Sequence, residues 1–305
     1  MIQKKMNFLS LPGLFPERFF LLEWSGLHFG RFGLHFCQPN LARRFTPMPT
    51  AGFAALSTLS RRKLSDELMW FIGFSEGDGC LYTDGSRHWF ILTQMEVSPL
   101  YRVRRILGYG SVRSFLTPEG RICFRLVVTR REGIQKLIEL FNGRLVCLSK
   151  KKQLNQWISV WNQRYPKDKI AQSASETEPS KADAWFSGFF DAEGGFSISI
   201  SPRASRKDGL ITSRAKDWRV RPRVFCDQKE KEVLQKILEN FQVGRVSARA
   251  SDRSQFRWMV DTWDQAKKIE SYFQRYSLRT RKQLVFLRWR KLLCLYVCSK
   301  RTSNG

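Results

Sequence analysis

The stretch "WFIGFSEGDGCLY" (residues 70–82) places two acids, Glu76 and Asp78, among glycines at the end of an apolar run. Ser65 and the two acids that follow it are typical of a helix start, so the apolar run is predicted to be a helix. A second stretch, "WFSGFFDAEGGFSIS" (residues 185–199), repeats this arrangement. The first expectation is therefore a pair of apolar helices that each end in two acids.

The order of the other elements is repeated as well. Gln94 precedes Gly110 by 16 residues, and Gln228 precedes Gly244 by the same number. Each half continues with a strand-like stretch, an amphipathic helix, a basic turn and a helix that carries Trp. Such agreement in order and spacing predicts a duplication. The expected fold class is α+β, with two αββαββα units related by a pseudo-two-fold axis.

Composition divides the chain into four segments. Residues 1–62 contain only two acids and no sustained period, which predicts a poorly structured N-terminal extension. It is either an organelle transit peptide or an upstream extension of the reading frame. Residues 63–165 form the first half, a polar linker covers 166–182, and residues 183–305 form the second half. The second half has a longer interval between its motif and its Gln, which predicts a longer hairpin around residues 203–217.

The charge of the chain indicates its partner. Lys and Arg outnumber Asp and Glu by 53 to 27, which gives a net charge of +26. This balance favours a polyanion, either nucleic acid or an anionic membrane. No long run of uncharged apolar residues is present, so a membrane-spanning helix is excluded. The cysteines and histidines lack the spacing of zinc ligands, and a zinc site is not expected.

Small residues recur at every fourth position in both motif helices. They are Gly73 and Gly77 in the first helix, and Ala184, Gly188 and Ala192 in the second. Residues with this spacing share one helix face, and small side chains on that face let two backbones approach closely. The two motif helices are therefore predicted to pack together and to form the interface between the halves.

That packing would bring the acidic helix ends together. Carboxylates at a helix C-terminus oppose the macrodipole, and two like charges placed close together repel each other. A hard divalent cation removes both penalties, and Mg²⁺ characteristically binds through one or two carboxylates together with phosphate oxygens and water. The acids are therefore predicted to hold Mg²⁺, or another divalent cation such as Mn²⁺, against a phosphodiester.

The segments "FIGFSEGDG" (71–79) and "FSGFFDAEG" (186–194) resemble the LAGLIDADG motif of homing endonucleases, in the form with two motifs in one chain. The resemblance covers about residues 63–292. It implies that Asp78 and Glu193 are the catalytic metal ligands. The chain departs from the motif by Phe or Ser in place of Leu and Ala, and by Glu in place of Asp at position 193.

The resemblance also implies further site residues. Gln94 and Gln228, at the ends of the second strands, match a position that helps to order active-site water in relatives. The other motif acids, Glu76 and Asp191, fall at a position that is usually structural. A basic residue in each late turn serves the site as well. The candidates are Lys150, Lys151 or Lys152 in the first half and Arg281 or Lys282 in the second.

Alternation along the strands predicts the binding surface. Arginines alternate along "WRVRPRVF" (218–225), and serines alternate with apolar residues after the second motif. The stretch "RICFRLVVT" (121–129) sets arginines on one face, opposite Ile122 and three further apolar residues that are expected to face the core. Pro222 lacks an N–H group and is expected at an edge or a bulge. The predicted DNA-contacting residues are Arg121, Arg125, Arg219, Arg221, Arg223, Ser197, Ser199 and Ser201.

The resemblance implies a site-specific double-strand DNA endonuclease that promotes the mobility of its host intron or insertion. Two sheets would form a basic saddle over a long asymmetric site, in a soluble monomer built as a pseudo-dimer, without membrane contact. An organelle, chloroplast or mitochondrion, is the expected location. Two alternatives stay open: an intron maturase that binds its own intron RNA, and an inactive DNA-binding protein. The acids at positions 78 and 193 favour the nuclease, because RNA binding alone would not need them.

Overall fold

The computed structural model describes residues 65–202, 205–207, 210–212 and 218–302. The predicted N-terminal extension, residues 1–62, lies outside the described residues. The first half consists of α1 (Asp66–Asp78), β1 (Gly79–Thr83), β2 (His88–Gln94), α2 (Val97–Leu107), β3 (Ser111–Leu116), β4 (Ile122–Val128), α3 (Arg131–Phe141) and α4 (Leu148–Arg164).

The second half repeats this order with one insertion. It consists of α5 (Trp185–Glu193), β5 (Gly194–Pro202), β6 (Ser205–Lys207), β7 (Leu210–Thr212), β8 (Trp218–Gln228), α6 (Lys231–Phe241), β9 (Arg245–Ala248), β10 (Phe256–Val260), α7 (Trp263–Arg275) and α8 (Lys282–Thr302). The β6–β7 hairpin is the insertion, and it lies where the longer interval predicted it. Each half ends in two helices, so the repeating unit is αββαββαα and contains one helix more than the predicted αββαββα unit.

Each half contains a four-stranded antiparallel sheet. The strand orders are β1-β2-β4-β3 and β5-β8-β10-β9, which are the same arrangement in both halves. The expected α+β fold class is therefore confirmed. Strand β8 pairs with β10 only from Val224 to Gln228, so Pro222 lies where β8 pairs with β5 alone. A residue without an N–H group is tolerated on such a free edge.

The motif helices lead directly into the sheets. Gly79 follows α1 and begins β1, and Gly194 follows α5 and begins β5. A Cβ atom at Gly79 would lie 2.5 Å from the carbonyl oxygen of Ser75, so the junction admits no side chain. This abrupt change from helix to strand holds each helix end, with its acid, beside its own sheet.

The core lies between the sheets and the helices that cover one face of each. Along β2 the buried residues His88, Phe90 and Leu92 alternate with partly exposed ones, as expected when one sheet face is covered. The aromatic residues Phe186 and Phe273 pack against each other in the second half. The helices thus leave the opposite face of each sheet open for a partner.

The chain between α4 and α5 contains no helix or strand and lies along the first half. Asn142 donates a hydrogen bond to the carbonyl oxygen of Ala171 (2.8 Å) and accepts one from the backbone N–H of Ser173 (2.9 Å). This segment contains the predicted linker, residues 166–182, and its contacts hold it against the body of the protein. Among the described helices, none is both long and apolar enough to cross a lipid bilayer.

Candidate active site

The two motif helices, α1 and α5, are in backbone contact. A Cβ atom added at Gly73 would lie 2.0 Å from the carbonyl oxygen of Trp185, and one added at Gly188 would lie 1.9 Å from that of Trp70. Further along, a Cβ atom at Gly77 would lie 2.3 Å from the Cβ atom of Ala192. Any side chain larger than hydrogen at these glycines would push the helices apart, so the small-residue spacing sets how close the two halves lie.

This packing brings Asp78 and Glu193 together at the helix ends. Both side chains are half-buried, and a Cβ atom at Gly77, next to Asp78, would lie 3.1 Å from the Cγ atom of Glu193. Burial raises the pKa of Asp78. Burial and, second, the negative charge of Asp78 raise the pKa of Glu193 to about 7. The two carboxylates therefore resist carrying charge together, which is the electrostatic state that a cation relieves.

A glutamine from each sheet holds each of these acids. Gln94, the last residue of β2, donates from Nε2 to Oδ2 of Asp78 at 2.6 Å. Gln228, the last residue of β8, donates from Nε2 to Oε1 of Glu193 at 3.2 Å. These hydrogen bonds fix the carboxylates relative to the sheets.

A lysine from each half lies at the end of a motif helix. Nζ of Lys150 donates to the carbonyl oxygen of Gly79, and Nζ of Lys282 donates to those of Phe190 (3.2 Å) and Ala192 (2.9 Å). A cation in this position compensates the negative end of the helix macrodipole. The lysine charges also lower the pKa values of the two site carboxyls, against the larger effect of burial.

The other predicted basic residues lie elsewhere. Lys152 is exposed on α4, and Lys151, half-buried, lies one residue further along α4 than Lys150. The side chain of Arg281 is 82% exposed and lies 3.9 Å from a carboxylate oxygen of Glu96. The roles of Lys152 and Arg281 stay predictions, and among the basic candidates it is Lys150 and Lys282 that contact the ends of the motif helices.

The remaining motif acids, Glu76 and Asp191, are buried, with exposures of 2% and 4%. Each accepts a hydrogen bond from an indole of the opposite motif helix, from Trp185 to Glu76 at 2.6 Å and from Trp70 to Asp191 at 2.8 Å. Each also accepts two hydrogen bonds from the chain before the last helix of its own half. The donors are the N–H groups of Val146 and Cys147 for Glu76, and the N–H of Arg279 and the hydroxyl of Thr280 for Asp191.

These buried acids lock the halves together and hold the segments that lead to the two lysines. Burial raises the pKa of Glu76 to about 7, although the hydrogen bonds from Cys147, Trp185 and Val146 lower it. The reciprocal indole contacts were not predicted from the sequence. Their signal is present, because Trp70 and Trp185 occupy the same place in the two motifs.

The open face of the second sheet carries the predicted serines and arginines side by side. Three pairs lie directly opposite each other on β5 and β8, namely Ser197 with Arg223, Ser199 with Arg221, and Ser201 with Arg219. An acid directly after β10 neutralises part of the charge. Asp261 lies 3.7 Å from Arg221 and receives two hydrogen bonds from Arg245, at 2.8 and 3.0 Å. Sequence reasoning missed this partner and Arg245, although polar and apolar residues alternate along β9.

The open face of the first sheet carries Arg125, opposite Thr93 on β2 and Arg113 on β3. Its Nε atom donates to Oγ1 of Thr93 at 3.3 Å. Arg121 precedes β4, in the exposed turn after β3. Ile122 was expected to face the core, but it is 60% exposed, because it lies at the tip of the β3–β4 hairpin beyond the covering helices.

Comparison with known proteins supports the resemblance to the LAGLIDADG family. Residues 186–293, which include the second sheet and all of α5 except its first residue, match the model of the LAGLIDADG endonuclease family. The resemblance predicted from the sequence is thereby confirmed, and the matched residues contain the second of the two predicted motifs.

Two fungal relatives are similar to the chain. It is 30% identical over 235 residues to the probable intron-encoded endonuclease 4 of Neurospora crassa, a match that covers 76% of this chain and 40% of the relative. It is 25% identical over 224 residues to the uncharacterised cox1 intron-2 37.2 kDa protein of Schizosaccharomyces pombe. This match covers 73% of this chain and 64% of the relative. The chain thus spans less than two thirds of the length of both relatives.

Solved structures share the fold. The LAGLIDADG meganuclease I-AabMI, bound to uncleaved DNA, matches with a TM-score of 0.60 and 15% identity, over 76% of this chain and 92% of that one. The LAGLIDADG homing endonuclease I-SmaMI, bound to cleaved DNA, matches with a TM-score of 0.57 and 13% identity, over 78% of this chain and 91% of that one.

Proposed function

We propose that the protein is a site-specific, divalent-metal-dependent endonuclease that cuts both strands of DNA and promotes the mobility of its host intron. The observation that carries this proposal is the pair of half-buried carboxylates, Asp78 and Glu193, between two sheets with open basic faces. The acids Glu76 and Asp191 have a structural role, since each accepts three hydrogen bonds from neighbouring groups, whereas the hydrogen bonds to Asp78 and Glu193 come from one glutamine each. The endonuclease relative and the DNA-bound structures that share the fold support the same conclusion.

The donor set fits a hard divalent cation. Asp78 and Glu193 offer carboxylate oxygens, which Mg²⁺ and Mn²⁺ prefer. Among the described residues, no cluster of three or more His, Cys, Asp or Glu side chains could hold an ion. Two carboxylates leave coordination positions for phosphate oxygens and water, which suits an ion that is shared with the substrate. When bound, such an ion activates water and stabilises the leaving oxygen.

The chain's own residues prepare the site for this chemistry. Gln94 and Gln228 hold the two carboxylates in a fixed orientation, because each donates to one carboxylate oxygen. Lys150 and Lys282 place positive charge beside the position of the phosphodiester, where it stabilises developing negative charge. One glutamine and one lysine come from each half, and the charges of both lysines lower the pKa values of both acids. This duplication suits two cuts, one in each strand.

The proposed partner is double-stranded DNA with a long asymmetric site, bound by the monomeric chain. The two open sheet faces are related by duplication but differ in sequence, so they suit two different half-sites. The net charge of +26 supplies affinity for phosphates, and Arg219 is exposed on the face that also carries the serines. A mitochondrion is the proposed location, because both relatives are fungal and one is named from a cox1 intron.

The test uses DNA that joins the two sequences flanking the host element, which is the site as it stands before insertion. Incubation with the protein and Mg²⁺ is expected to give two defined fragments, and excess chelator is expected to abolish them. The intact host element, with its site interrupted, is the matched control and should remain uncut. Tight binding of the intron RNA without DNA cleavage would favour the maturase, and DNA binding without cleavage would favour an inactive binder.

A further inference from the structure

Two glutamates, Glu96 and Glu230, lie at the starts of α2 and α6 but do not cap these helices with their side chains. Each carboxylate instead reaches the last helix of the other half. Glu230 accepts hydrogen bonds from the N–H groups of Leu148 (2.7 Å) and Ser149 (3.0 Å) at the start of α4. Glu96 accepts one from the N–H of Arg281 (3.1 Å), the residue directly before α8.

The position of these glutamates in the sequence is duplicated. Glu96 follows Gln94 in "QME" and Glu230 follows Gln228 in "QKE", with the same spacing. The glutamine holds the site acid of its own half, as described above. The glutamate two residues later leaves the same turn and contacts the opposite half. One short turn at the end of each sheet is therefore linked to both halves of the site.

The helix starts that receive these carboxylates carry the two site lysines. Ser149 directly precedes Lys150, and Arg281 directly precedes Lys282. A carboxylate that accepts N–H groups at a helix N-terminus makes a charge-assisted hydrogen bond, and the helix dipole strengthens it. This contact fixes the first turn of the helix and hence the direction of the lysine.

We propose that Glu96 and Glu230 are positioning residues that make each cleavage centre depend on the other half. Glu230, from the second half, sets Lys150 beside Asp78, and Glu96, from the first half, sets Lys282 beside Glu193. The inference rests on the proposed function, since the lysines act in DNA cleavage. Each glutamate directly follows a strand of one DNA-binding sheet and contacts the helix start that carries the lysine of the other half. Contact of one sheet with its half-site is therefore linked, through the glutamate, to the position of that lysine.

The first test is strand-resolved cleavage of DNA labelled separately on each strand. Glu230→Ala is expected to slow one cut by about tenfold, and Glu96→Ala is expected to slow the cut in the other strand by a similar factor. Substrate affinity should stay unchanged, and Gln at either position should restore part of the rate because it keeps an acceptor. Glu270→Ala is the matched control, since Glu270 contacts Arg290 in the middle of α8 at 2.8 Å. It should slow neither cut.

The second test needs no cleavage. Acetylation of lysines by acetic anhydride, followed by mass spectrometry, is expected to show faster labelling of Lys150 in Glu230→Ala and of Lys282 in Glu96→Ala, with the other lysine unchanged. Exposed Lys152 provides the internal reference. If each variant shows faster labelling of its own lysine but the wild-type protein cuts no DNA, the glutamate contacts would be supported and the proposed function would be rejected. Equal slowing of both strands, or equal labelling of both lysines in both variants, would overturn the inference.

Discussion

Replacing Glu193 by Gln is predicted to stabilise the metal-free protein at alkaline pH. Burial, and then the charge of Asp78, raises the pKa of Glu193 from 4.5 to about 7 in the folded protein. Between these two pH values the folded protein holds a proton that the unfolded chain has lost. The stability contributed by this group is therefore present below pH 4.5, falls as the pH rises through the window, and is lost above pH 7. The Gln variant has no carboxyl group at this position, so its folded state does not lose this stability as the pH rises.

The size of the effect follows from the two pKa values. Their difference corresponds to about 3 kcal/mol at 25 °C. Glu193 is only half-buried, so solvent screens its charge, and we expect a gain of about 1 to 2 kcal/mol in the free energy of unfolding. For a domain of this size the gain corresponds to a rise of about 5 °C in the unfolding temperature.

The assay is urea unfolding, followed by tryptophan fluorescence, at pH 8 and pH 5 in the presence of chelator. The variant should be more stable at pH 8, and the difference should shrink at pH 5, where wild-type Glu193 carries a proton. Glu76, whose pKa is also raised, is present in both proteins and does not affect the comparison. Glu239→Gln, at an exposed position on α6, is the control and should change the stability by less than about 0.5 kcal/mol. Equal stability at pH 8, or an equal gain at pH 5, would refute the reasoning.

Three further changes test other parts of the structure. Gly188→Ala should destabilise the protein by about 2 kcal/mol in thermal unfolding, because its Cβ atom would lie 1.9 Å from the carbonyl oxygen of Trp70. An unchanged melting temperature would mean that α1 and α5 are not in backbone contact. Asp191→Ala leaves the indole of Trp70 and the N–H of Arg279 without their acceptor, and it should lower the free energy of urea unfolding by about 3 kcal/mol. A decrease of less than about 0.5 kcal/mol would contradict the role of Asp191 in holding the halves together. Arg219→Gln should weaken binding to all DNA sequences and reduce the slope of log affinity against log salt concentration by about 1. If the affinity of the wild-type protein for DNA did not change with salt concentration, the basic faces would be excluded as the DNA-binding surface.

The sequence was sufficient for the order of elements, since helix and strand periods are local and the duplication repeats them. It was also sufficient to place the serines on one face of β5 and the arginines on one face of β8, because alternation along a strand fixes the face of each residue. The extra helix of each unit was not counted. In each half an amphipathic helix and a Trp-bearing helix follow one another across a short basic turn, and the predicted unit counted them as one.

The choice of lysine could not be made from the sequence. Which basic residue near position 150 faces the site depends on where α4 begins, and Glu230, which contacts that start, belongs to the other half of the chain. The exposure of Ile122 had a similar cause, because it depends on how far the β3–β4 hairpin extends beyond the helices. Such features depend on contacts between distant segments, which a local pattern does not encode.

The claim that Asp78 and Glu193 form one metal-dependent site is tested most directly by single-residue variants in the cleavage assay. Asp78→Asn and Glu193→Gln keep the shape of each side chain and remove its charge. With Mg²⁺ and the uninterrupted target, we predict that each variant loses double-strand cleavage while its affinity for the same DNA stays at the wild-type value. Cleavage at the wild-type rate by either variant would contradict the assignment.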